Sequence, residues 1–160
     1  MGQTIFIEDG IEINNVIQYN LVMNTLPSSS LLNVDQTPTS FWITNPKNTV
    51  RHNHAVGSSH FGFWYNPPAN PTGPSFTMSY CPNREVFGEF FNNTAHTIGT
   101  YGMWIFEDYK ATMDGQCRFM EKDKSLAERA ANVGNYRVVF LECRILGVKR
   151  LFEVIFWLKT

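Results

Sequence analysis

The sequence predicts an all-β chain wound as a β-solenoid over residues 1–117, followed by a tail of mixed helix and strand over residues 118–160. Two repeats and one texture predict it. Asn53-His54-Ala55-Val56-Gly57-Ser58-Ser59-His60-Phe61-Gly62-Phe63-Trp64 lines up with Asn93-Thr94-Ala95-His96-Thr97-Ile98-Gly99-Thr100-Tyr101-Gly102-Met103-Trp104 at an offset of 40. Asn, Ala, an aromatic, Gly and Trp stay in step. Val16-Ile17-Gln18-Tyr19-Asn20 lines up with Thr49-Val50-Arg51-His52-Asn53 at an offset of 33. Around these words the first 117 residues are rich in Asn, Gly, Thr and aromatics, with short apolar runs broken by turn residues, the pattern of many short strands.

A unit of this size, repeated with uneven insertions, favours stacked coils over a closed barrel or a sandwich. Ile17, Val50 and Phe90 fall at one position of the unit, as apolar strand residues. Asn20, Asn53 and Asn93 fall at another, at a turn. Asn tolerates the left-handed backbone of a sharp corner. Stacked on successive coils, the three amides can hydrogen-bond along the axis as a ladder. The same asparagines would also suit the loops of an all-β sandwich. In the tail, residues 121–131 are good helix formers of mixed charge. Residues 136–141 and 151–158 suit a strand or a buried helix equally.

The 160 residues, 18.4 kDa, make one domain or part of one. With 43% hydrophobic and 17% charged residues the chain can build a core. A net charge of −1 removes the electrostatic case for a nucleic-acid partner. Charge divides near residue 117: four basic residues (Lys47, Arg51, Arg84, Lys110) stand against nine acidic ones before it, a net of −5, and nine against five after it, a net of +4. The opening lacks the basic and apolar regions of a signal peptide, and Phe6 breaks the myristoylation pattern. The most apolar stretch, 138–158, carries Glu142, Arg144, Lys149, Arg150 and Glu153, so no direct membrane insertion is expected. Cys81, Cys117 and Cys143 match no zinc or redox spacing. Either Cys81 pairs with Cys117 and Cys143 is odd, or all three are buried thiols.

Phe41-Trp42-Ile43-Thr44-Asn45-Pro46-Lys47-Asn48-Thr49-Val50-Arg51-His52-Asn53, continuing through Gly57, residues 61–65 and Pro71-Thr72-Gly73-Pro74-Ser75, resembles the large extracellular proteins with G8 domains and parallel β-helix repeats. That group holds the fibrocystins and the related cell-surface hyaluronidases. Ile7-Glu8-Asp9-Gly10-Ile11-Glu12, Gly88-Glu89-Phe90-Phe91-Asn92-Asn93-Thr94 and Gly102-Met103-Trp104-Ile105-Phe106-Glu107 carry the likeness further, over about residues 5–117. Residues 118–160 do not resemble the family. The resemblance implies a right-handed parallel β-helix outside the cell, in a far longer chain with a leader and an anchor. This chain is therefore expected to be a fragment or short isoform cut from mid-solenoid. The extracellular setting it implies also favours a Cys81–Cys117 disulfide.

His52 and His54 form a His-x-His that a strand would place on one face, with His60 and His96 nearby. No cysteine or carboxylate stands at a supporting spacing, so neither a metal nor a cofactor is expected. Glu8-Asp9, Glu85 with Glu89, and Glu107-Asp108 supply acids, but adjacent carboxylates on a strand point apart and only different coils can pair them. No catalytic residue is assigned. Trp42, Trp64, Tyr65 and Trp104 suit stacking on sugar rings or between coils. Asn92-Asn93-Thr94 is the sole glycosylation sequon, and Asn92 is its acceptor. Residues 66–75, with Pro67, Pro68, Pro71, Gly73 and Pro74, form an excursion loop of the kind that carries binding surfaces.

Two functions follow from the resemblance. One is a non-catalytic extracellular or cell-surface structural or interaction module, with an unidentified protein or glycan partner. The other is a hyaluronan-binding or hyaluronan-depolymerising unit. Binders of this polyanion need Arg and Lys along the groove, and four basic residues in 117 favour the first.

Overall fold

The structure, a computed structural model, describes residues 2–27 and 37–105 together with Tyr109, Gly115 and Cys117. The expected tail over 118–160, Cys143, Glu107 and Asp108 lie outside the described residues. Among the described residues ten short strands follow one another: β1 (Gln3–Ile7), β2 (Val16–Gln18), β3 (Leu21–Met23), β4 (Thr39–Ile43), β5 (Thr49–Arg51), β6 (His54–Val56), β7 (Phe61–Tyr65), β8 (Phe90–Phe91), β9 (Thr94–His96) and β10 (Tyr101–Ile105). Two 3-10 turns, Gly73–Ser75 and Pro82–Arg84, interrupt the stretch between β7 and β8.

The strands form three sheets, in the orders β1-β4-β7-β10, β2-β5-β8 and β3-β6-β9. Every pairing is parallel. Each turn of the chain gives one strand to each sheet, and β10 opens a fourth turn. An all-β sandwich of antiparallel hairpins is thereby excluded, because parallel neighbours require the chain to return the same way up. The offsets of 33 and 40 are strand registers: Ile17 pairs with Val50, and Val50 with Phe90. In the first sheet β10 keeps the offset of 40, Phe61 pairing with Tyr101, while the earlier strands run on other intervals. Gln3 pairs with Thr39, and Thr39 with Phe61.

Side chains alternate across each strand, so every turn sends part of its residues into the coil and the remainder outward. Phe41 stacks on Phe63 with ring centroids 4.6 Å apart, and both are buried. Ile43 and Tyr65 continue a second inner column, and Ile17, Val50 and Phe90 a third. Fully burying each such side chain contributes about 1.5–3 kcal/mol. The third sheet offers only Val22, Ala55 and Ala95, which leaves room for the first sheet to come close. Gly62 sits in that gap; a Cβ there would lie 2.9 Å from the Ala95 methyl.

Two corners of the coil turn through left-handed residues. At the first stand Tyr19, His52 and Asn92, with φ of 57°, 55° and 51°. At the second stand Asn24, Gly57 and Thr97, with φ of 57°, 70° and 57°. The expectation that Asn20, Asn53 and Asn93 adopt the left-handed conformation is corrected here. The residue before each takes it, at a cost of about 1–2 kcal/mol for a non-glycine side chain. Those asparagines instead use their amides inside the stack.

Tyr65 is 1% exposed and its hydroxyl finds no hydrogen-bond partner among the described residues. Burial also pushes its ionisation well above the ordinary tyrosine value. A buried unpaired hydroxyl costs about 1–3 kcal/mol. Tyr65→Phe is therefore expected to raise stability by about 1 kcal/mol in urea denaturation, where most core substitutions lower it. A loss of stability would show that the hydroxyl has a partner after all.

Candidate functional site

The polar interior of the coil is an amide column. Asn20 donates from its side-chain Nδ2 and its main-chain N–H to Asn53 Oδ1, at 2.9 and 3.1 Å. Asn53 repeats both bonds to Asn93 Oδ1, each at 3.0 Å. Its second Nδ2 hydrogen goes back to the carbonyl of Ile17 at 2.9 Å, and that of Asn93 to Val50 at 2.7 Å. Asn53 therefore uses its oxygen twice and both its hydrogens, the full capacity of the group. Asn53 is 0% exposed.

A second column lies at the corner between the first and second sheets. Asn15 donates from Nδ2 and from its main chain to Asn48 Oδ1, at 3.0 and 2.8 Å. Asn48 Nδ2 donates to the carbonyls of Glu12 and Asn45, both at 2.8 Å. In the third turn the position falls to Gly88, where a Cβ would run into the main chain of Asn48. Sequence reasoning missed this column, although Asn15 and Asn48 stand at the same offset of 33 as Asn20 and Asn53.

The excursion between β7 and β8 is anchored from beneath. Glu85, 1% exposed, accepts from the Tyr80 hydroxyl at 2.8 Å, from Lys47 Nζ at 3.1 Å and from the Val86 N–H at 3.2 Å. Asn45 Nδ2 donates to the Tyr80 oxygen at 2.8 Å and to the Gly10 carbonyl at 2.7 Å. Burial, partly offset by the Asn45 bond, pushes the Tyr80 hydroxyl up to about 12, so it remains a neutral donor to the carboxylate. Cys81 is bonded to Cys117, with Cα atoms 5.2 Å apart. Cys81 also donates its N–H to the Gly115 carbonyl at 2.7 Å. Pro71 is buried, and the exposed part of the excursion carries Phe76 and Met78. No signal in the sequence joins Asn45, Lys47, Tyr80 and Glu85, which come from separate stretches of the chain.

The remaining candidates are dispersed. Glu85 serves the buried anchor, whereas Glu89 lies exposed beside Arg51 at 3.4 Å. Glu8 is exposed on the first turn, and Asp9 offers its carbonyl to the Thr72 N–H at 2.8 Å. The His52–His54 pair does not share a strand face, which corrects the His-x-His expectation. His52 occupies a left-handed corner between β5 and β6, while His54 is exposed on β6. Among the described residues no group of three or more His, Cys, Asp or Glu could hold a metal ion. Trp42, Trp64 and Trp104 stand in register on the outer face of the first sheet, with Trp42 and Trp64 centroids 4.3 Å apart. Tyr65 is separated from them, on the inner face. Among the described residues no helix is long and apolar enough to cross a membrane.

Comparison with known proteins agrees with this geometry. The family described as CEMIP beta-helix matches residues 1–103. Fibrocystin-L of Mus musculus is 54% identical over 116 residues, 72% of this chain and 3% of the relative. Fibrocystin-L of Homo sapiens is 53% identical over the same shares. Cell surface hyaluronidase CEMIP2 of Homo sapiens is 30% identical over 139 residues, 70% of this chain and 10% of the relative. The chain thus spans a small part of the proteins it matches. By family match and identity together, it belongs to the CEMIP β-helix family and is fibrocystin-L-like.

Proposed function

We propose that this chain is a non-catalytic extracellular or cell-surface module, a right-handed parallel β-helix segment over residues 1–117 with a divergent tail over 118–160. Right-handed winding is supported by the general rule for parallel crossovers, obeyed in about 98% of cases. The boundary at 117 is supported by the change in net charge there, from −5 before it to +4 after it. The observation that carries the structural role is the amide column. Asn20, Asn53 and Asn93 bind successive turns to one another and leave none of the interior amide capacity of Asn53 for a ligand. Greater identity to fibrocystin-L than to the hyaluronidase supports the same reading.

A second reading, a hyaluronan-binding or hyaluronan-depolymerising unit, draws on the names of relatives: Cell surface hyaluronidase CEMIP2, and Cell migration-inducing and hyaluronan-binding protein of Homo sapiens, 31% identical. Size-defined hyaluronan tests both. Incubated with the folded chain between about pH 5 and 7.5, where carboxylate chemistry is poised, the polymer is expected to keep its length. Shortening above a buffer control, abolished by Glu89→Gln or Glu107→Gln, overturns the non-catalytic role. Retention of the chain on immobilised hyaluronan without shortening supports the binding unit instead.

A further inference from the structure

We propose that Asn92 is an N-glycan acceptor whose remaining amide hydrogen stays bonded to His52. Asn92-Asn93-Thr94 meets the Asn-x-Ser/Thr rule, whereas Asn70-Pro71-Thr72 has the forbidden proline. The structure separates the two adjacent amides. Asn93, 8% exposed, has its amide inside the stack, bonded to Asn53 and Val50. Asn92, half-buried with φ of 51°, occupies the left-handed corner outside that column. There it continues an external stack. Tyr19, 73% exposed, lies parallel to the His52 ring at 5.0 Å, and Phe91 meets His52 edge-on at 5.6 Å. Asn92 Nδ2 is 2.7 Å from His52 Nδ1.

With His52 neutral and its proton on Nε2, Nδ1 accepts one of the two Asn92 amide hydrogens. The other is the one that modification replaces. Nδ2 bonds to the anomeric carbon of an oligosaccharide carried on a lipid diphosphate. The diphosphate leaves with the bonding electron pair, and Nδ2 gives up one proton. The hydrogen that remains still reaches His52, so the first sugar leaves the corner in a fixed direction. A glycan there covers the corner between the second and third sheets. It leaves the Trp42–Trp64–Trp104 face and the Phe76–Met78 loop as the surfaces open to a partner.

This inference rests on the extracellular role proposed above. It is tested by secreting the chain from mammalian cells behind an added leader, with glycopeptide mass spectrometry of the folded product. Asn92 is expected to be occupied, to become bare in Asn92→Gln and Thr94→Ala, and to remain occupied in Thr94→Ser. Folded, secreted protein with a bare Asn92 overturns the acceptor. The leader enforces the secretory route whatever the natural destination, so that result does not bear on the extracellular role. His52→Ala is expected to stay occupied but to release its glycan several-fold faster to a peptide N-glycosidase under native conditions. Equal release rates overturn the His52 contact.

Discussion

Asn53→Ala is expected to lower the unfolding free energy by about 3–5 kcal/mol, because a buried partner left unsatisfied costs about 1–3 kcal/mol and the substitution orphans more than one. The side chain lost is the middle rung, and it serves two junctions at once. Removing it deprives the Ile17 carbonyl of its donor and the Asn20 amide groups of their acceptor. The Asn93 oxygen keeps only the main-chain N–H of residue 53. In a stacked array, stability is roughly a sum over neighbouring turns, so a rung shared by two junctions weighs more than a terminal one. Asn20→Ala, at the half-buried end of the column, is therefore expected to cost about 1 kcal/mol. Asn53→Asp separates hydrogen bonding from size. An aspartate has nearly the same shape but no hydrogens to give to Ile17 and Asn93, and ionised it adds a buried charge. It is expected to be at least as damaging as alanine. Urea denaturation of the four proteins checks the series, and an Asn53→Ala change within about 0.5 kcal/mol of the parent would show that the column is not what joins the turns.

The parts of the molecule legible in the sequence are those where one residue type recurs at the strand register. Ile17, Val50 and Phe90, and Asn20, Asn53 and Asn93, recur because the second and third sheets share their insertions and so keep common offsets of 33 and 40. The first sheet gave no such signal for β1. The stretch between β3 and β4 and the excursion between β7 and β8 fall at different corners, so its spacing changes from turn to turn. The left-handed positions were hidden for another reason. Tyr19, His52 and Asn92 share a backbone conformation without sharing a side chain, and the side chain that recurs is that of the asparagine next along the chain. The second amide column ends at Gly88, where the pattern continues as the absence of a side chain. The buried anchor around Glu85 depends on a loop folding back on the coil. Periodicity cannot report a contact that occurs once.

Removing the bridge in a Cys81→Ser, Cys117→Ser chain is expected to cost about 4 kcal/mol, the entropic value for two cysteines 36 residues apart. The figure is the release of the unfolded chain from a closed loop, so it falls on global stability rather than on any one contact. The excursion itself should respond differently. Glu85 remains held by Tyr80, Lys47 and the Val86 N–H, and the Asn45 bond to Tyr80 does not involve sulfur. The loop is therefore expected to stay docked in the folded double variant, with protease cutting concentrated near the exposed Phe76 and Met78 at a rate close to that of the parent. Adding Glu85→Gln to the variant weakens the anchor and should then expose residues 66–89 to rapid cleavage. Urea denaturation with and without reductant measures the global loss, and limited proteolysis under native conditions measures the local one. Thiol labelling fixes the pairing: one reactive cysteine before reduction and three after, since the chain carries three and two are joined. Coincident denaturation curves for oxidised and reduced protein would remove the bridge from the account of stability. Rapid cutting of the loop in the double variant alone would show that the disulfide, and not the Glu85 cluster, holds the excursion against the coil.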